Sequence, residues 1–172
     1  MGVRVLLTEE QIQARIRELG AEIGADYPEG PLYLVCILKG ACFFLADLAR
    51  AVPRDVLIEF MGISSYGKGK SSSGEVRVTK DLDASLEDAH VIVVEDIVDS
   101  GITLHYLVHV LGQRRPRSLK VAALLDKPDR RLRPVEVAYT GFQIPDEFVV
   151  GYGLDYGERY RNLRDVCVLV DE

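Results

Sequence analysis

The chain has 172 residues, and its 21 Lys and Arg against 27 Asp and Glu give a formal net charge of −6. This length and a hydrophobic share of 48% predict one soluble domain over residues 1–172, with a core large enough to need no disulfides. The acidic balance argues against a nucleic-acid or membrane-surface binder, so an anionic ligand must be held by a local site.

A capping box predicts the first helix. Thr8 is followed three residues later by Gln11, and this pair is typical of a helix N-terminus. Apolar residues then recur at helical spacing: Ile12, Ile16, Leu19 and Ile23. Gly24 is the predicted end of this helix.

Strands and helices alternate along the rest of the chain. Apolar runs predict strands over residues 32–38, 56–60, 76–79, 90–94, 120–125, 135–139 and 166–170, and helices over residues 41–50 and 102–111. This order is typical of an α/β protein with a mostly parallel sheet flanked by helices. Because ligands bind such sheets beyond the carboxyl ends of the strands, we expect the site in the loops after Leu38, Val94 and Leu125.

No segment predicts export or membrane insertion. The N-terminal residues lack an apolar stretch with a small-residue cleavage site, and the longest apolar runs are too short to span a bilayer. Cys36, Cys42 and Cys167 each have apolar neighbours, which predicts reduced thiols in the core of a cytoplasmic protein.

The strand at 90–94 leads into the segment with the clearest chemistry. Glu95 and Asp96 follow this strand, and four residues then open the next helix: Ser100, Gly101, Ile102 and Thr103. Unpaired N–H groups at a helix N-terminus bind phosphate, while adjacent carboxylates suit ribose hydroxyls and a hard divalent cation. We therefore expect a site for a phosphorylated sugar with a metal; the alternative is an acidic turn that only caps a helix.

Residues 95–103, Glu-Asp-Ile-Val-Asp-Ser-Gly-Ile-Thr, resemble the phosphoribosyl-pyrophosphate signature of the type I phosphoribosyltransferases, in the wording of the hypoxanthine (guanine) branch. Further family segments match in the same order at 38–40, 64–66, 124–128 and 145–156, followed by Arg161. The resemblance implies the type I fold with a small hood from the terminal segments. It also implies transfer of the 5-phosphoribosyl group from 5-phospho-α-D-ribose 1-diphosphate (PRPP) to N9 of hypoxanthine or guanine, in a homodimer or homotetramer.

The resemblance also assigns residues to the sugar and its phosphate. Asp99 is implied to face purine N7 and exchange its proton, and to border the 5′-phosphate together with residues 100–103. Glu95 and Asp96 are implied to hold the ribose hydroxyls directly or through Mg²⁺, the implied cofactor. Asp155 is implied as a further metal ligand.

The purine base is assigned to a second group of residues. By resemblance Lys127 contacts purine O6, and a lysine favours this oxygen because it donates hydrogen bonds and accepts none. Phe148 is implied to stack on the base, although such an aromatic is also common in an ordinary core. Backbone groups of Val149 and Asp155 are implied to meet the edge of the base.

Pyrophosphate contacts are implied for five residues: Lys39, Gly40, Ser65, Tyr66 and Arg161. The polar, glycine-rich stretch 64–74 is implied to close over the site as a lid. The resemblance further implies a cis peptide bond between Leu38 and Lys39.

Two other functions stay open at this point. Among enzymes, the alternative is a xanthine-preferring or a bifunctional pyrimidine-type phosphoribosyltransferase, and the shared O6 does not separate hypoxanthine, guanine and xanthine. A regulatory protein on the same fold could use the phosphate loop only to sense a nucleotide or PRPP. Asp99, Lys127 and residues 148–155 argue against this sensor, since sensing needs no carboxylate for proton transfer.

Overall fold

The computed structural model describes residues 1–65 and 76–171. Its larger sheet has six strands: β2 (Leu32–Leu38), β3 (Leu57–Ser65), β4 (Val76–Lys80), β5 (His90–Val98), β6 (Ser118–Asp126) and β7 (Tyr139–Gln143). Their order in the sheet is β4-β3-β2-β5-β6-β7, and only the β3–β4 pair is antiparallel among these strands. The carboxyl ends of β2, β5 and β6 therefore meet at one edge.

Helices cover both faces of this sheet. Helices α1 (Glu9–Asp26) and α2 (Cys42–Ala51) pack on one face, and α3 (Ile102–Gly112) packs on the other. Alternate residues of β2 divide between the two cores: Leu34 lies with α1 and α2, whereas Val35 lies with α3. The prediction of a mostly parallel sheet flanked by helices is confirmed.

A smaller antiparallel sheet joins the two ends of the chain. It contains β1 (Gly2–Leu7), β8 (Val149–Val150) and β9 (Val166–Val170) in the order β1-β9-β8. We call these strands, with residues 151–165, the hood. The sequence patterns predicted β9 but neither β1 nor β8. The small hood of terminal segments that the resemblance implied is confirmed.

The predicted strand over 135–139 is wrong, because β7 begins only at Tyr139. The preceding residues wrap around the start of α3 instead: the N–H groups of Leu132 and Arg133 donate to the Ser100 carbonyl at 2.8 and 3.1 Å. Val135 and Val137 pack against the core beneath α3. Their apolar alternation therefore reflects packing and not strand pairing.

Several element boundaries also differ from the predictions, among them the end of β3, which continues from residue 60 to Ser65. Helix α1 continues past Gly24 to Asp26, and the Tyr27 N–H closes its last turn on the Ile23 carbonyl at 3.1 Å. Strand β5 extends beyond Val94 because its pairing with β6 continues to Val98. The carboxylates expected after this strand consequently lie inside it.

The prediction that all three cysteines lie in the core is only partly confirmed. Cys36 and Cys167 are buried, but Cys42 is exposed at the start of α2 and is not a core residue. Its position in the first turn places its side chain away from Phe44 and Leu45, which face the core. Among the described residues, no helix is both long and apolar enough to cross a membrane.

Candidate active site

A cavity of about 300 Å³ lies at the carboxyl edge of the larger sheet, between β2, β5 and the start of α3. Seven predicted site residues line it: Gly40, Glu95, Asp96, Asp99, Ser100, Gly101 and Thr103. Gly101 caps α3 with a φ of 80°, and the Ser100 hydroxyl accepts the Ile102 N–H at 3.4 Å. The first-turn N–H groups and the positive end of the helix dipole make this end of the cavity suited to a phosphate.

The two adjacent carboxylates, Glu95 and Asp96, also line this cavity. Burial raises the pKa of Glu95 well above its usual value, and the neighbouring charge of Asp96 adds to this effect. Burial also raises the pKa of Asp96 to about 6, although its Oδ1 accepts the Ile97 N–H at 2.7 Å. Both groups would gain from a cation or from hydroxyl donors, which stabilise the charged form.

The carboxylates fit a cation that takes its other ligands from the substrate. Within residues 1–65 and 76–171, no three His, Cys, Asp or Glu side chains gather closely enough to hold a metal ion. Mg²⁺ commonly binds one or two protein carboxylates together with substrate oxygens and water, which Glu95 and Asp96 can satisfy. Asp155 lies 3.5 Å from Arg161, and its charge contributes to the raised pKa of Asp96, so its role as a further metal ligand stays a prediction.

Asp99 is held from two sides by arginines. Arg130 Nε donates to Asp99 Oδ1 at 2.6 Å, and Arg131 Nη1 donates to the Asp99 carbonyl at 2.9 Å. Arg131 also donates to the buried carboxylate of Asp126, the last residue of β6, at 2.7 Å. These contacts fix the backbone of Asp99 between the ends of β5 and β6.

Lys127 is only 7% exposed and follows directly on β6. Its N–H donates to the Val98 carbonyl at 2.9 Å, so its backbone is tied to β5. Its ammonium lies 3.7 Å from Asp146, which also accepts hydrogen bonds from Arg130. Successive ion pairs therefore connect Lys127 to Asp146, Asp146 to Arg130, and Arg130 to Asp99. These contacts bring the residues implied to bind the base to the edge of the sheet.

The residues implied to meet the base lie at the hood. Phe148 is 54% exposed and packs edge-to-face on Tyr156 with ring centroids 5.7 Å apart, so it is not a core aromatic. Val149 is buried in β8 and pairs with Val168 of β9. The accessible ring of Phe148 is therefore available for stacking.

Lys39 and Arg161, implied to bind pyrophosphate, approach the same acidic residue. Lys39 Nζ lies 3.0 Å and Arg161 Nη2 lies 3.2 Å from the Glu158 carboxylate. The hydrogen bond from Lys39 and the weaker one from Arg161 lower the pKa of Glu158. The implied cis peptide between Leu38 and Lys39 is confirmed.

The loop at Gly40 and the hood meet at very short range. A Cβ on Gly40 would overlap the Asp96 carboxylate, and a Cβ on Gly153 would overlap the Gly40 carbonyl. Ser65 ends β3, where its backbone pairs with Val76. Tyr66 and most of the stretch 64–74 lie outside the described residues.

A family model described as a phosphoribosyl transferase domain matches residues 4–157. The chain belongs to the phosphoribosyltransferase family. It is 57% identical to the hypoxanthine-guanine phosphoribosyltransferase of Mycobacterium tuberculosis, over 96% of this chain and 85% of that protein. It is 47% identical to the Bacillus subtilis protein of the same name, over 96% and 92%. A solved hypoxanthine phosphoribosyltransferase of Staphylococcus aureus aligns with a TM-score of 0.95 at 48% identity, covering 97% of this chain and 91% of that one.

The resemblance seen in residues 95–103 is thereby confirmed, together with the fold that it implied. Sequence reasoning missed Arg130, Arg131 and Glu158. The run of charged residues just after Lys127 was a usable signal for the two arginines, because it borders a predicted site residue. No local pattern marked Glu158, since Lys39 lies 119 residues away.

Proposed function

We propose that this protein transfers the 5-phosphoribosyl group of PRPP to N9 of hypoxanthine or guanine and releases pyrophosphate. One observation carries the proposal: the cavity joins a helix N-terminus, a buried pair of carboxylates and Asp99 within residues 95–103. The names of the M. tuberculosis and B. subtilis relatives support the choice of base.

The sugar and its 5′-phosphate bind to the residues of segment 95–103 that line the cavity. The N–H groups of residues 100–103 hold the 5′-phosphate, with Ser100 and Thr103 adding hydroxyl donors. Glu95 and Asp96 hold the ribose hydroxyls directly or through Mg²⁺. When bound, Mg²⁺ would offset the negative charge of pyrophosphate as it leaves.

Asp99 and Lys127 act on the base. Arg130 binds Oδ1 of Asp99 in this structure, so we assign the N7 proton to Oδ2. The same carboxylate stabilises positive charge that develops on the sugar. Lys127 donates a hydrogen bond to purine O6. Its ammonium has no acceptor for the amino group of adenine, which favours 6-oxopurines. Phe148 stacks on the base beside the backbone of Val149 and Asp155.

Pyrophosphate is bound by the loop at Lys39 and Gly40 and by Arg161. The Arg161 side chain is about one-fifth exposed, and the Glu158 carboxylate that it contacts is itself exposed, so this guanidinium can exchange that partner for a phosphate oxygen. Glu158 competes with pyrophosphate for both cations. Ser65 and Tyr66 stay predicted contacts, the stretch 64–74 a predicted lid, and a homodimer or homotetramer the predicted assembly.

The test is a panel of free bases. The purified protein is incubated with PRPP, Mg²⁺ and hypoxanthine, guanine, xanthine or adenine, and nucleotide formation is followed by chromatography. We expect conversion of hypoxanthine and guanine, none of adenine, and a reversible loss of activity when a chelator removes Mg²⁺. Preferential conversion of xanthine would support the xanthine enzyme instead, and turnover of no base would contradict the proposal.

A further inference from the structure

A largely buried contact joins α2 to the hood and has no role in the chemistry described above. The Tyr152 hydroxyl donates to the carboxylate of Asp47, and Tyr152 is only 6% exposed. The same carboxylate accepts Gln13 Nε2 and Arg50 Nη2, each at 2.9 Å. Asp47 therefore gathers donors from α1, α2 and the hood.

The charges make this hydrogen bond a strong one. Burial pushes the pKa of Asp47 upward, but the hydrogen bonds from Tyr152, Gln13 and Arg50 outweigh burial and leave the pKa below its usual value. Burial, followed by the hydrogen bond to Asp47, raises the pKa of Tyr152. A neutral hydroxyl thus donates to a charged carboxylate, the arrangement that gives shorter and stronger bonds.

The backbone at Tyr152 needs such an anchor. Gly151, Tyr152 and Gly153 have φ angles of 95°, 50° and 99°, so three successive residues adopt positive φ. This region is unfavourable for a tyrosine and persists only where surrounding contacts fix it. The Tyr152 N–H donates to the Leu163 carbonyl at 2.9 Å, and its side chain fixes the turn to α2.

This turn carries two parts of the proposed pyrophosphate site. The Gly153 carbonyl accepts Arg161 Nη1 at 2.7 Å, and the Gly153 N–H donates to the Arg161 carbonyl at 2.9 Å. Gly153 also packs directly against the Gly40 carbonyl. Asp47 lies on α2, which starts two residues after Gly40. Tyr152 therefore joins the element that follows the Gly40 loop to the turn that holds Arg161.

We infer that Asp47 and Tyr152 are positioning residues that hold Arg161 and the Gly40 loop in register for the pyrophosphate of PRPP. The inference rests on the proposed pyrophosphate role of these two groups. Loss of the Tyr152–Asp47 bond moves the turn relative to α2 and weakens the binding of PRPP. Lys127 and Phe148, which bind the base, lie outside this turn, so the KM for the base should change less than the KM for PRPP.

The test compares two tyrosines that differ mainly in location. Tyr152→Phe removes only the hydroxyl. Tyr139→Phe is the control, because Tyr139 is equally buried and donates to Asp26 at 2.6 Å, near the far end of α1. Both variants should lose similar thermal stability. Only Tyr152→Phe should raise the KM for PRPP, by roughly 3- to 10-fold, as expected for one lost hydrogen bond.

Two further variants separate the possible failures. Asp47→Ala should raise the KM for PRPP like Tyr152→Phe, and the double variant should be no worse than the stronger single one, since both act through one bond. Arg161→Gln tests the proposed pyrophosphate site itself. If Arg161→Gln raises the KM for PRPP but Tyr152→Phe does not, the positioning role is wrong and the proposed site stands.

Two other outcomes would each overturn the positioning role. An unchanged KM for PRPP in Arg161→Gln would overturn the pyrophosphate assignment and the positioning role together, while turnover of hypoxanthine would still support the proposed reaction. A rise in the KM for PRPP in Tyr139→Phe as large as that in Tyr152→Phe would show a general effect of lost stability, and it would also overturn the inference.

Discussion

The sheet edge at residues 95–103 and the hood meet at the same site but are held in different ways. Strand β5 pairs with β2 as far as Val94, and its pairing with β6 continues to Val98, so Glu95 and Asp96 lie in a strand that backbone hydrogen bonds to β6 hold in place. The hood depends on groups that are far apart in the chain, such as the Glu9 N–H on Asp165 at 2.7 Å.

The two regions also differ in charge. At the sheet edge, burial raises the pKa of Glu95 and Asp96, so these carboxylates gain from an incoming cation or from hydroxyls. In the hood, Glu158 is exposed and its pKa is lowered by Lys39 and Arg161. An anionic substrate must displace this carboxylate. The comparison assigns the chemistry and the sugar phosphate to the sheet edge, and the pyrophosphate of PRPP to the contact between the hood and the loop at Gly40.

The largest effect is expected from Asp99→Asn at the sheet edge. The amide keeps the size and one carbonyl acceptor but loses the charge and the proton capacity, so kcat should fall about 10²–10⁴-fold. The KM for PRPP should change little. Steady-state kinetics at saturating hypoxanthine and PRPP measures both.

Asp146→Asn is the matched control, because Arg130 binds both the Asp146 carboxylate and the Asp99 carboxylate. Asp146 is more than half exposed, and an exposed ion pair contributes little, so the kcat of Asp146→Asn at saturating hypoxanthine should stay close to that of the unmodified protein. Any effect of losing its contact with Lys127 should appear in the KM for hypoxanthine. A near-normal kcat in Asp99→Asn would remove Asp99 from the mechanism and weaken the assignment of chemistry to the sheet edge.

Lys127→Met should affect the base and not PRPP. The variant loses one charge-assisted hydrogen bond to O6, about 1.5–3 kcal/mol, so the KM for hypoxanthine should rise roughly 10- to 150-fold. Lys120→Met is the control on β6, the strand that leads to Lys127; its ammonium lies 5.8 Å from the Tyr27 ring centroid, away from the site. Unchanged base affinity in Lys127→Met, measured by titration, would leave Lys127 without a role in base recognition.

The smallest effect on turnover is expected from Gly153→Ala, a change in the hood. The strained backbone at a φ of 99° should alone lower the free energy of unfolding by about 1–3 kcal/mol, and the overlap of the added methyl group with the Gly40 carbonyl should lower it further. The KM for PRPP should rise while kcat is kept. Urea unfolding and steady-state kinetics measure these quantities.

Gly157→Ala provides the comparison within the hood. Gly157 also has a positive φ, 58°, but a Cβ there would have no atom within 4 Å, so only the backbone cost of about 1 kcal/mol applies. Equal changes in stability and in the KM for PRPP for the two alanine variants would show that the contact between Gly153 and Gly40 has no special role.

Local patterns predicted much of this molecule. The capping box at Thr8 and Gln11 forms as predicted, and the apolar runs at 32–38 and 90–94 are central strands. The run at 135–139 failed because apolar residues that pack beneath a helix have the same spacing as those of a strand. Strand β8 escaped prediction because it has only two residues, and β1 because none of its residues is fully buried; both gain their pairing from the distant β9.

The sequence by itself determined the α/β class and the phosphate loop, because alternation of strands and helices and the contiguous residues 95–103 are local features. Only the tertiary structure decided which distant groups meet that loop. Arg130 lies 31 residues from Asp99, Tyr152 lies 105 residues from Asp47, and Glu158 lies 119 residues from Lys39. Contacts at such separations depend on the order of strands in the sheet and on the closure of the hood, which no short segment specifies.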